Sequence, residues 1–359
     1  MKILFRTDSG NHIGTGHIRR CLTLARALQK HGHQVLFLSR KHEGNILDQV
    51  RKEFEVTELS GGVFSSQNVI VGDYASWLGV DLATEIDESR KVLRSYNFDK
   101  IVIDHYALDE EYESSLGHNG VMVIDDLINR SHDCKYLLNQ NLFAKKELYK
   151  DLIVAPDCHL MMGPQYALLK PDFALKRPQV FKPRTNKIKN ILVFFGGNDL
   201  TNESRKLIDG FLLSDRGPVK NLKIILDSGH KDYDFILRKS KIYKNINLVS
   251  YIEDMAQELM MADLCIGAAG STSWERACLG IPSLIVISAD NQKMVADSLV
   301  KTNSAYFVGD ARETTPQVWR EVFQKIDSMN LSLFAKNSYE ICDGRGLERV
   351  LMEAFDVKL

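Results

Sequence analysis

A histidine stands directly after a short glycine turn near the start of the chain, in the sequence Gly14-Thr15-Gly16-His17. Histidine accepts and releases protons near neutral pH and can therefore act as a general base. The turn lets backbone approach a ligand closely, and the N–H groups of a following helix attract anions. Because the basic pair Arg19-Arg20 follows, the pattern predicts a ligand site served by His17. The alternative is that His17 only caps a helix or faces solvent.

The elements around this turn form a predicted βαβ unit. An apolar strand signal, Ile3-Leu4-Phe5, precedes the turn, and a second strand is predicted over 34–38. The helix between them is indicated by apolar residues at helical spacing: Ile18, Leu22, Ala25 and Leu28. Gly32 marks its end. Such a unit places the turn at the carboxyl end of a parallel strand, where open α/β sheets bind ligands.

The turn does not match a dinucleotide-binding fingerprint. The third glycine of that motif would fall at Arg19, and no acidic residue closes the second strand. We therefore expect no nicotinamide cofactor.

Composition and charge bound the function further. The 359 residues favour two domains, and a formal net charge of -1 gives no bulk attraction for nucleic acid or an anionic membrane. The chain enters its first strand directly, and no apolar run approaches the ~20 residues that span a bilayer. We expect a cytoplasmic enzyme that binds no nucleic acid, does not insert into membranes and acts as a monomer.

The cysteines and histidines indicate neither disulfides nor a metal. Six cysteines occur without a Cys-x-x-Cys pair and mostly within apolar segments, as buried reduced thiols do. His132 with Cys134 comes nearest to a ligand cluster, and their surroundings are typical of a loop entering a strand. We expect no metal site.

Two α/β patterns are separated by a basic, proline-containing segment. We predict an N-terminal domain over 1–170, a linker over 171–189 and a C-terminal domain over 190–359. The linker prediction rests on three prolines, Pro171, Pro178 and Pro183.

Polar residues follow two apolar strands of the first pattern. Asp104-His105-Tyr106 comes after 101–103, and Asp125-Asp126 comes after 121–124. Asp104 and His105 suggest a carboxylate–histidine pair, but adjacent strand residues point to opposite faces. We therefore assign neither of them to catalysis.

The second pattern contains a candidate anion-binding loop at 267–272, between a buried strand and a helix. Backbone N–H groups of Gly270 and hydroxyls of Ser271 and Thr272 could hold a diphosphate there. Glu275, one turn further on, could accept two hydrogen bonds from a ribose diol. Alternatively, Ser271 only caps the helix and Glu275 balances the loop's charge. Gly197, in a strand-ending turn, is a weaker nucleotide-binding candidate.

The second half resembles the UDP-binding half of the peptidoglycan N-acetylglucosaminyltransferases. The motifs that carry the likeness are Tyr251-Ile252-Glu253-Asp254-Met255-Ala256, Ala262-Asp263, Gly270-Ser271-Thr272, Trp274-Glu275 and Leu279-Gly280-Ile281-Pro282. The resemblance implies the α/β GT-B fold, in which two doubly wound Rossmann-like domains face each other across a cleft. It also implies UDP as the nucleotide, with the uracil near Ile252, the diphosphate at Ser271 and Thr272, and the ribose at Glu275.

The first 300 residues resemble the UDP-sugar hydrolases of pseudaminic acid biosynthesis. The matching motifs, in chain order, are Phe5-Arg6, Asp8, Ile13-Gly14, Gly16-His17, Arg20, Leu24-Ala25, Asp104-His105-Tyr106, Leu108-Asp109, Ile124-Asp125-Asp126-Leu127, Arg130, His132, Leu137-Leu138-Asn139, Tyr166-Ala167-Leu168 and Asn291-Gln292. The resemblance implies metal-independent hydrolysis of UDP-2,4-diacetamido-2,4,6-trideoxy-β-L-altropyranose, with inversion, to UDP and the free sugar.

The same resemblance implies roles for individual residues. His17 would be the general base, while Tyr106 and Asn291 would hold the sugar or the water. Gln292 would contact sugar hydroxyl or amide groups, and we count Gly14, Gly16 and Arg20 among the substrate-binding candidates. A GT-B glycosyltransferase of surface polysaccharide assembly and a non-catalytic nucleotide-sugar binding module remain as alternatives.

Overall fold

The computed structural model describes residues 1–61, 74–178, 181, 187–197, 199–214 and 219–358. Contacts divide the chain into two compact units, which are described separately. Unit 1 comprises Met1–Lys170 with Arg345–Leu359, and unit 2 comprises Pro171–Gly344. Part of the predicted linker, including Pro183, lies outside the described residues.

Unit 1 is built on a sheet of seven parallel strands in the order β3-β2-β1-β4-β5-β6-β7. The strands are β1 Lys2–Thr7, β2 Gln34–Arg40, β3 Glu55–Leu59, β4 Lys100–Asp104, β5 Val121–Ile124, β6 Tyr136–Asn139 and β7 His159–Met162. The helices are α1 Gly16–Lys30, α2 Leu47–Val50, α3 Leu82–Ser95, α4 Glu110–Ser115 and, from the chain end, α13 Gly346–Phe355. Short 3₁₀ segments cover Ala75–Leu78, Lys146–Tyr149 and Pro164–Tyr166.

Both faces of the unit 1 sheet are buried, and alternate strand residues supply two cores. Ile3 and Phe5 of β1 pack in one core with α1, whereas Leu4 packs in the other with Ile101 of β4. Continuous apolar strands of this kind are typical of parallel sheets covered on both faces. The structure thus confirms the α/β class predicted from those strands.

The last helix, α13, belongs to unit 1. This differs from the prediction, which placed it in a C-terminal domain over 190–359. Leu347, Val350 and Leu351 of α13 lie in the same apolar core as Ile18 and Leu28 of α1. Burial of this apolar stripe, which favours folding in proportion to its area, returns the chain end to the first sheet. Sequence proximity alone assigned these residues to the second unit.

Unit 2 is built on six parallel strands in the order β10-β9-β8-β11-β12-β13. The strands are β8 Asn190–Phe194, β9 Asn221–Ile225, β10 Ile246–Val249, β11 Leu264–Ala268, β12 Ser283–Ile287 and β13 Tyr306–Asp310. The helices are α5 Pro171–Lys176, α6 Glu203–Leu213, α7 Tyr233–Ile242, α8 Met255–Met261, α9 Thr272–Leu279, α10 Lys293–Lys301, α11 Pro316–Lys325 and α12 Leu331–Ile341. Two 3₁₀ segments cover Asp290–Gln292 and Ile326–Ser328.

The start of the predicted linker is an ordered helix. Phe173 of α5 is buried, and Arg177 donates hydrogen bonds to the carbonyl oxygens of Tyr339, Cys342 and Cys278. These contacts fix α5 in unit 2. The prolines that suggested a linker are compatible with this helix, because Pro171 occupies its first position, where the missing N–H costs nothing.

Each sheet has one point where the strand order reverses. In unit 1 the chain proceeds outward on both sides of the β1–β4 pair, and in unit 2 on both sides of β8–β11. Loops leaving the carboxyl ends of these strands diverge and leave a crevice, the usual ligand site of open α/β sheets. Within the described ranges, no helix is long and apolar enough to cross a membrane. The six cysteines are free thiols.

Candidate active site

His17 is the second residue of α1 and is nearly buried. Its Nδ1 lies 2.6 Å from Oδ1 of Asp104, the last residue of β4. Parallel pairing places Thr7 of β1 beside Asp104, which brings the end of β4 next to the turn that opens α1. A carboxylate accepts a hydrogen bond from Nδ1–H and leaves Nε2 as the ring nitrogen that can take a proton.

Arg20, three residues after His17 on α1, also holds Asp104 in place. Its Nε and Nη2 donate to the two Asp104 oxygens at 2.7 Å each. Burial opposes ionisation of Asp104, but the Arg20 charge and the hydrogen bonds from Arg20 and His17 outweigh it and hold the pKa of that carboxyl well below its usual range. Asp104 therefore remains an anion that orients His17. We predicted Arg20 as a substrate contact, and the structure places its guanidinium between Asp104 and Asp126.

Asp126 joins this arrangement to Tyr106. It lies 2.7 Å from Nη1 of Arg20, and it accepts hydrogen bonds from the Tyr106 hydroxyl at 2.8 Å and from Asn141 at 2.7 Å. The Tyr106 ring meets the His17 ring edge-on, with 4.4 Å between centroids. Tyr106 is thus fixed against the candidate base, beside the carboxyl end of β4.

The carboxylate–histidine pairing considered from sequence for Asp104 has a different histidine in the structure. Adjacent residues do face different partners, since His105 approaches Asp8 while Asp104 meets His17. The error was to consider only the neighbouring histidine. The actual partner lies 87 residues earlier in the chain, and only the β1–β4 pairing brings the two together.

Asp8, at the end of β1, belongs to a buried polar network behind the site. Arg6 donates two hydrogen bonds to Asp8 and one to Glu85, which also accepts from Arg40. Burial would raise the pKa of Asp8, but Arg6, together with nearby histidines, holds it well below its usual range. The Nδ1 of His105 accepts from a backbone N–H, and its Nε2 lies 3.3 Å from Asp8. This network fixes the strand ends that carry Asp104 and the α1 turn.

Gly14 and Gly16 of the first turn differ in whether the backbone conformation requires glycine. Gly14 has φ of +79°, a conformation that side chains disfavour. Gly16 has an ordinary φ, and a Cβ there would meet no atom of the described residues within 4 Å. The fold itself therefore does not require glycine at position 16, which leaves open space beside His17.

In unit 2 the predicted site residues follow the carboxyl ends of four strands. Gly197 follows β8, Ile252 follows β10, Gly270 and Ser271 follow β11, and Asn291 and Gln292 follow β12. Because these strands are parallel, the residues share one edge of the sheet.

The loop after β11 has the features of an anion site. Ser271 is exposed and its side chain makes no capping hydrogen bond to α9. This finding argues against the alternative in which Ser271 serves only as a cap. Thr272 and Glu275 lie half-buried in the first turn of the helix.

Gln292 approaches the same loop. Its Oε1 accepts a hydrogen bond from the backbone of Ser288 at 2.9 Å, which orients the amide. The Nε2 then lies 3.8 Å from the position of a Cβ on Gly270. The 3₁₀ segment 290–292 thus brings a side-chain donor beside the glycine loop, with Asn291 half-buried next to it.

Arg276 is a functional candidate that sequence reasoning missed. It is buried, and its Nη2 donates to the carbonyl oxygen of Ala268 at 3.0 Å and to Ser273 at 2.8 Å. A fixed positive charge behind this loop favours an anion in front of it. In the described parts of the chain, no group of three or more His, Cys, Asp or Glu side chains is arranged to hold a metal.

Comparisons with known proteins agree with this architecture. Residues 191–343 match the glycosyltransferase family 28 C-terminal domain. A UDP-2,4-diacetamido-2,4,6-trideoxy-beta-L-altropyranose hydrolase of Campylobacter jejuni is 27% identical over 304 residues, covering 84% of this chain and 97% of that protein.

Solved structures share the fold across the whole chain. Acinetobacter baumannii MurG superposes with a TM-score of 0.62 at 17% identity, covering 99% of this chain and 100% of that one. The UDP-GlcNAc 2-epimerase of Neisseria meningitidis gives a TM-score of 0.61 at 15% identity, covering 99% and 100%. The chain therefore has the GT-B fold, its residues 191–343 match the glycosyltransferase family 28 C-terminal domain, and it resembles the Campylobacter jejuni hydrolase over most of its length.

Proposed function

We propose that the protein hydrolyses UDP-2,4-diacetamido-2,4,6-trideoxy-β-L-altropyranose to UDP and free 2,4-diacetamido-2,4,6-trideoxy-L-altrose, a step of pseudaminic acid biosynthesis. The observation that carries the proposal is the hydrogen bond between His17 and Asp104, in a chain resembling a hydrolase of that substrate. An ionised carboxylate that fixes one imidazole nitrogen prepares the other to accept a proton from water.

The reaction is a single displacement at the anomeric carbon. His17 Nε2 takes a proton from water while the water oxygen bonds to C1 on the face opposite UDP. The bond between C1 and the β-phosphate oxygen breaks, and UDP leaves with the electron pair, so the anomeric configuration inverts. The proton on His17 then passes to solvent. A positioned general base of this kind contributes about 10²- to 10⁴-fold.

Unit 2 has the nucleotide-binding role in this proposal. The backbone of Gly270 with Ser271 and Thr272 stabilises the charge that develops on the departing diphosphate, with Arg276 behind the loop. Glu275 accepts hydrogen bonds from the ribose, Ile252 packs against the uracil, and Gly197 lies at the same sheet edge. Asn291 and Gln292 contact the sugar.

The test is UDP release from the proposed substrate with no glycosyl acceptor and with a chelator present. We expect stoichiometric UDP and free sugar from the wild-type protein and loss of turnover in His17→Ala. Persistence of the intact nucleotide sugar with wild-type protein would contradict the proposal.

A second candidate is glycosyl transfer from a UDP-sugar in surface polysaccharide assembly. The match of residues 191–343 to a glycosyltransferase domain favours it. This function requires an acceptor, so it predicts UDP release only when a glycan is added.

A further inference from the structure

Trp77 lies beside His17, the candidate general base. It belongs to the 3₁₀ segment Ala75–Leu78, and its ring centroid is 6.1 Å from that of His17 at an interplanar angle of 87°. It stacks on Tyr106, with 5.5 Å between centroids and 26° between planes. Trp77 and Tyr106 thus form one aromatic wall beside the imidazole.

This wall is held rigidly. The ring of Tyr74 packs edge-on against both members, with centroids 5.0 Å from Trp77 and 5.1 Å from Tyr106. Tyr106 is fixed by its hydrogen bond to Asp126. The His12 ring packs edge-on against Trp77, with 6.4 Å between centroids. An aromatic surface fixed in this way binds a ligand with little loss of side-chain entropy.

Trp77 also differs from the other tryptophans in exposure. Trp274 and Trp319 are 1% and 0% exposed and belong to the core of unit 2, whereas Trp77 is only half-buried. A large apolar ring that borders a proton acceptor and is not fully packed fits an apolar ligand group better than a core role.

We infer that Trp77 binds the sugar part of the substrate, packing its indole against C–H and methyl groups of the pyranose. The inference rests on the proposed function, since the sugar must reach His17 to react. A 6-deoxy sugar with acetamido groups carries several methyls and few hydroxyls, which suits an aromatic wall. UDP lacks the pyranose and its methyl groups, and the proposed function places its uracil at Ile252, so Trp77 contributes to binding of the nucleotide sugar and not of UDP.

Kinetics give the first test. Aromatic packing contributes about 0.5–1.5 kcal/mol beyond area burial, which corresponds to roughly 2- to 12-fold in affinity. Trp77→Ala is expected to raise KM by roughly 2- to 12-fold with a smaller change in kcat, and Trp77→Phe to restore most of the loss. The exposed Phe307, which lies on β13 in unit 2, supplies the control: Phe307→Ala should keep the wild-type KM. An unchanged KM in Trp77→Ala would overturn the inference.

Fluorescence gives a second test that does not depend on turnover. In His17→Ala protein, the nucleotide sugar should change tryptophan emission, and adding Trp77→Phe should abolish that part of the change while leaving any response to UDP intact. Equal responses with and without Trp77 would overturn the inference. If the wild-type protein fails to hydrolyse the sugar nucleotide but Trp77 still reports its binding, the proposed function fails and the subsite stands.

Discussion

The Asp104 carboxylate accepts a hydrogen bond from Nδ1 of His17 over 2.6 Å, and the same carboxylate receives two hydrogen bonds from Arg20. His17 and Arg20 lie three residues apart on one face of α1, while Asp104 is the last residue of β4. The arrangement fixes the imidazole in one orientation and keeps its partner ionised.

Asp104→Asn should lower kcat by about 10²-fold or more, because the amide neither holds the imidazole tautomer nor stabilises its charged form. Loss of a buried ion-pair partner also destabilises the fold, by about 3–5 kcal/mol in typical cases. The pH profile separates the two effects: if Asp104 acts through His17, the acid limb of kcat/KM moves to lower pH.

For the His17→Ala variant, the matched control is His31→Ala, at the exposed C-terminal end of the same helix. It should retain wild-type turnover. A folded Asp104→Asn variant with wild-type kcat and an unshifted profile would remove Asp104 from the mechanism.

Gly16→Ala should leave stability nearly unchanged or slightly improved, since an added Cβ meets nothing within 4 Å in the part of the chain that the structure describes and the φ is ordinary. If ligand approach explains this glycine, the methyl weakens substrate binding, and KM rises about tenfold. Gly61→Ala, another position with open space around the Cβ, provides the comparison and should behave as wild type. Equal KM values for the two variants would show that no ligand approaches Gly16.

Ser271→Ala should weaken UDP binding without a measurable cost in unfolding free energy. Its side chain makes no capping bond to α9, unlike Thr315, whose hydroxyl accepts from the Val318 N–H at 3.3 Å. Thr315→Ala is therefore expected to cost about 1 kcal/mol and to leave UDP binding unaffected. Calorimetric titration with UDP and thermal melts of both variants make the comparison, and a stability loss confined to Ser271→Ala would assign that residue to capping.

Glu275→Gln should raise KM more than it lowers kcat. A ribose contact is present in the ground state and in the transition state, so its loss weakens binding without slowing the chemical step. Steady-state kinetics with the nucleotide sugar measure the separate effects on KM and kcat. A fall in kcat at constant KM would exclude the ribose role.

The stability of the protein should depend on His12 between about pH 4 and 6.5. Burial lowers the pKa of His12 to about 4, and the charge of His42 adds to this effect. Between that value and the ordinary value of about 6.5, the unfolded chain binds more protons than the folded one. The contribution is therefore complete above pH 6.5 and is lost as the pH falls toward 4.

His12→Gln removes this pH-dependent contribution to the free energy of unfolding. Chemical denaturation at several pH values should give a smaller loss of unfolding free energy between pH 6.5 and 4 than in the wild type. Identical losses in the two proteins would contradict the assignment.

Local sequence signals predicted the elements well and the contacts between them poorly. The Gly14–His17 turn and the loop at 267–272 were found because a glycine turn after an apolar strand is a local pattern. The proposed roles of Asp104 and Trp77 have no such signal, since each depends on chain segments brought together by the sheet. The tail helix α13 was assigned to the wrong unit for the same reason, because its apolar stripe does not specify which core buries it.

The most direct test of the central claim is proton NMR of the reaction in ¹⁸O-labelled water with no acceptor, joined to mass spectrometry of both products. Attack of His17-activated water at C1 predicts that the inverted anomer of the free sugar appears first and carries the label, while UDP remains unlabelled. Label in UDP, retention at C1, or undiminished turnover in His17→Ala would contradict the account.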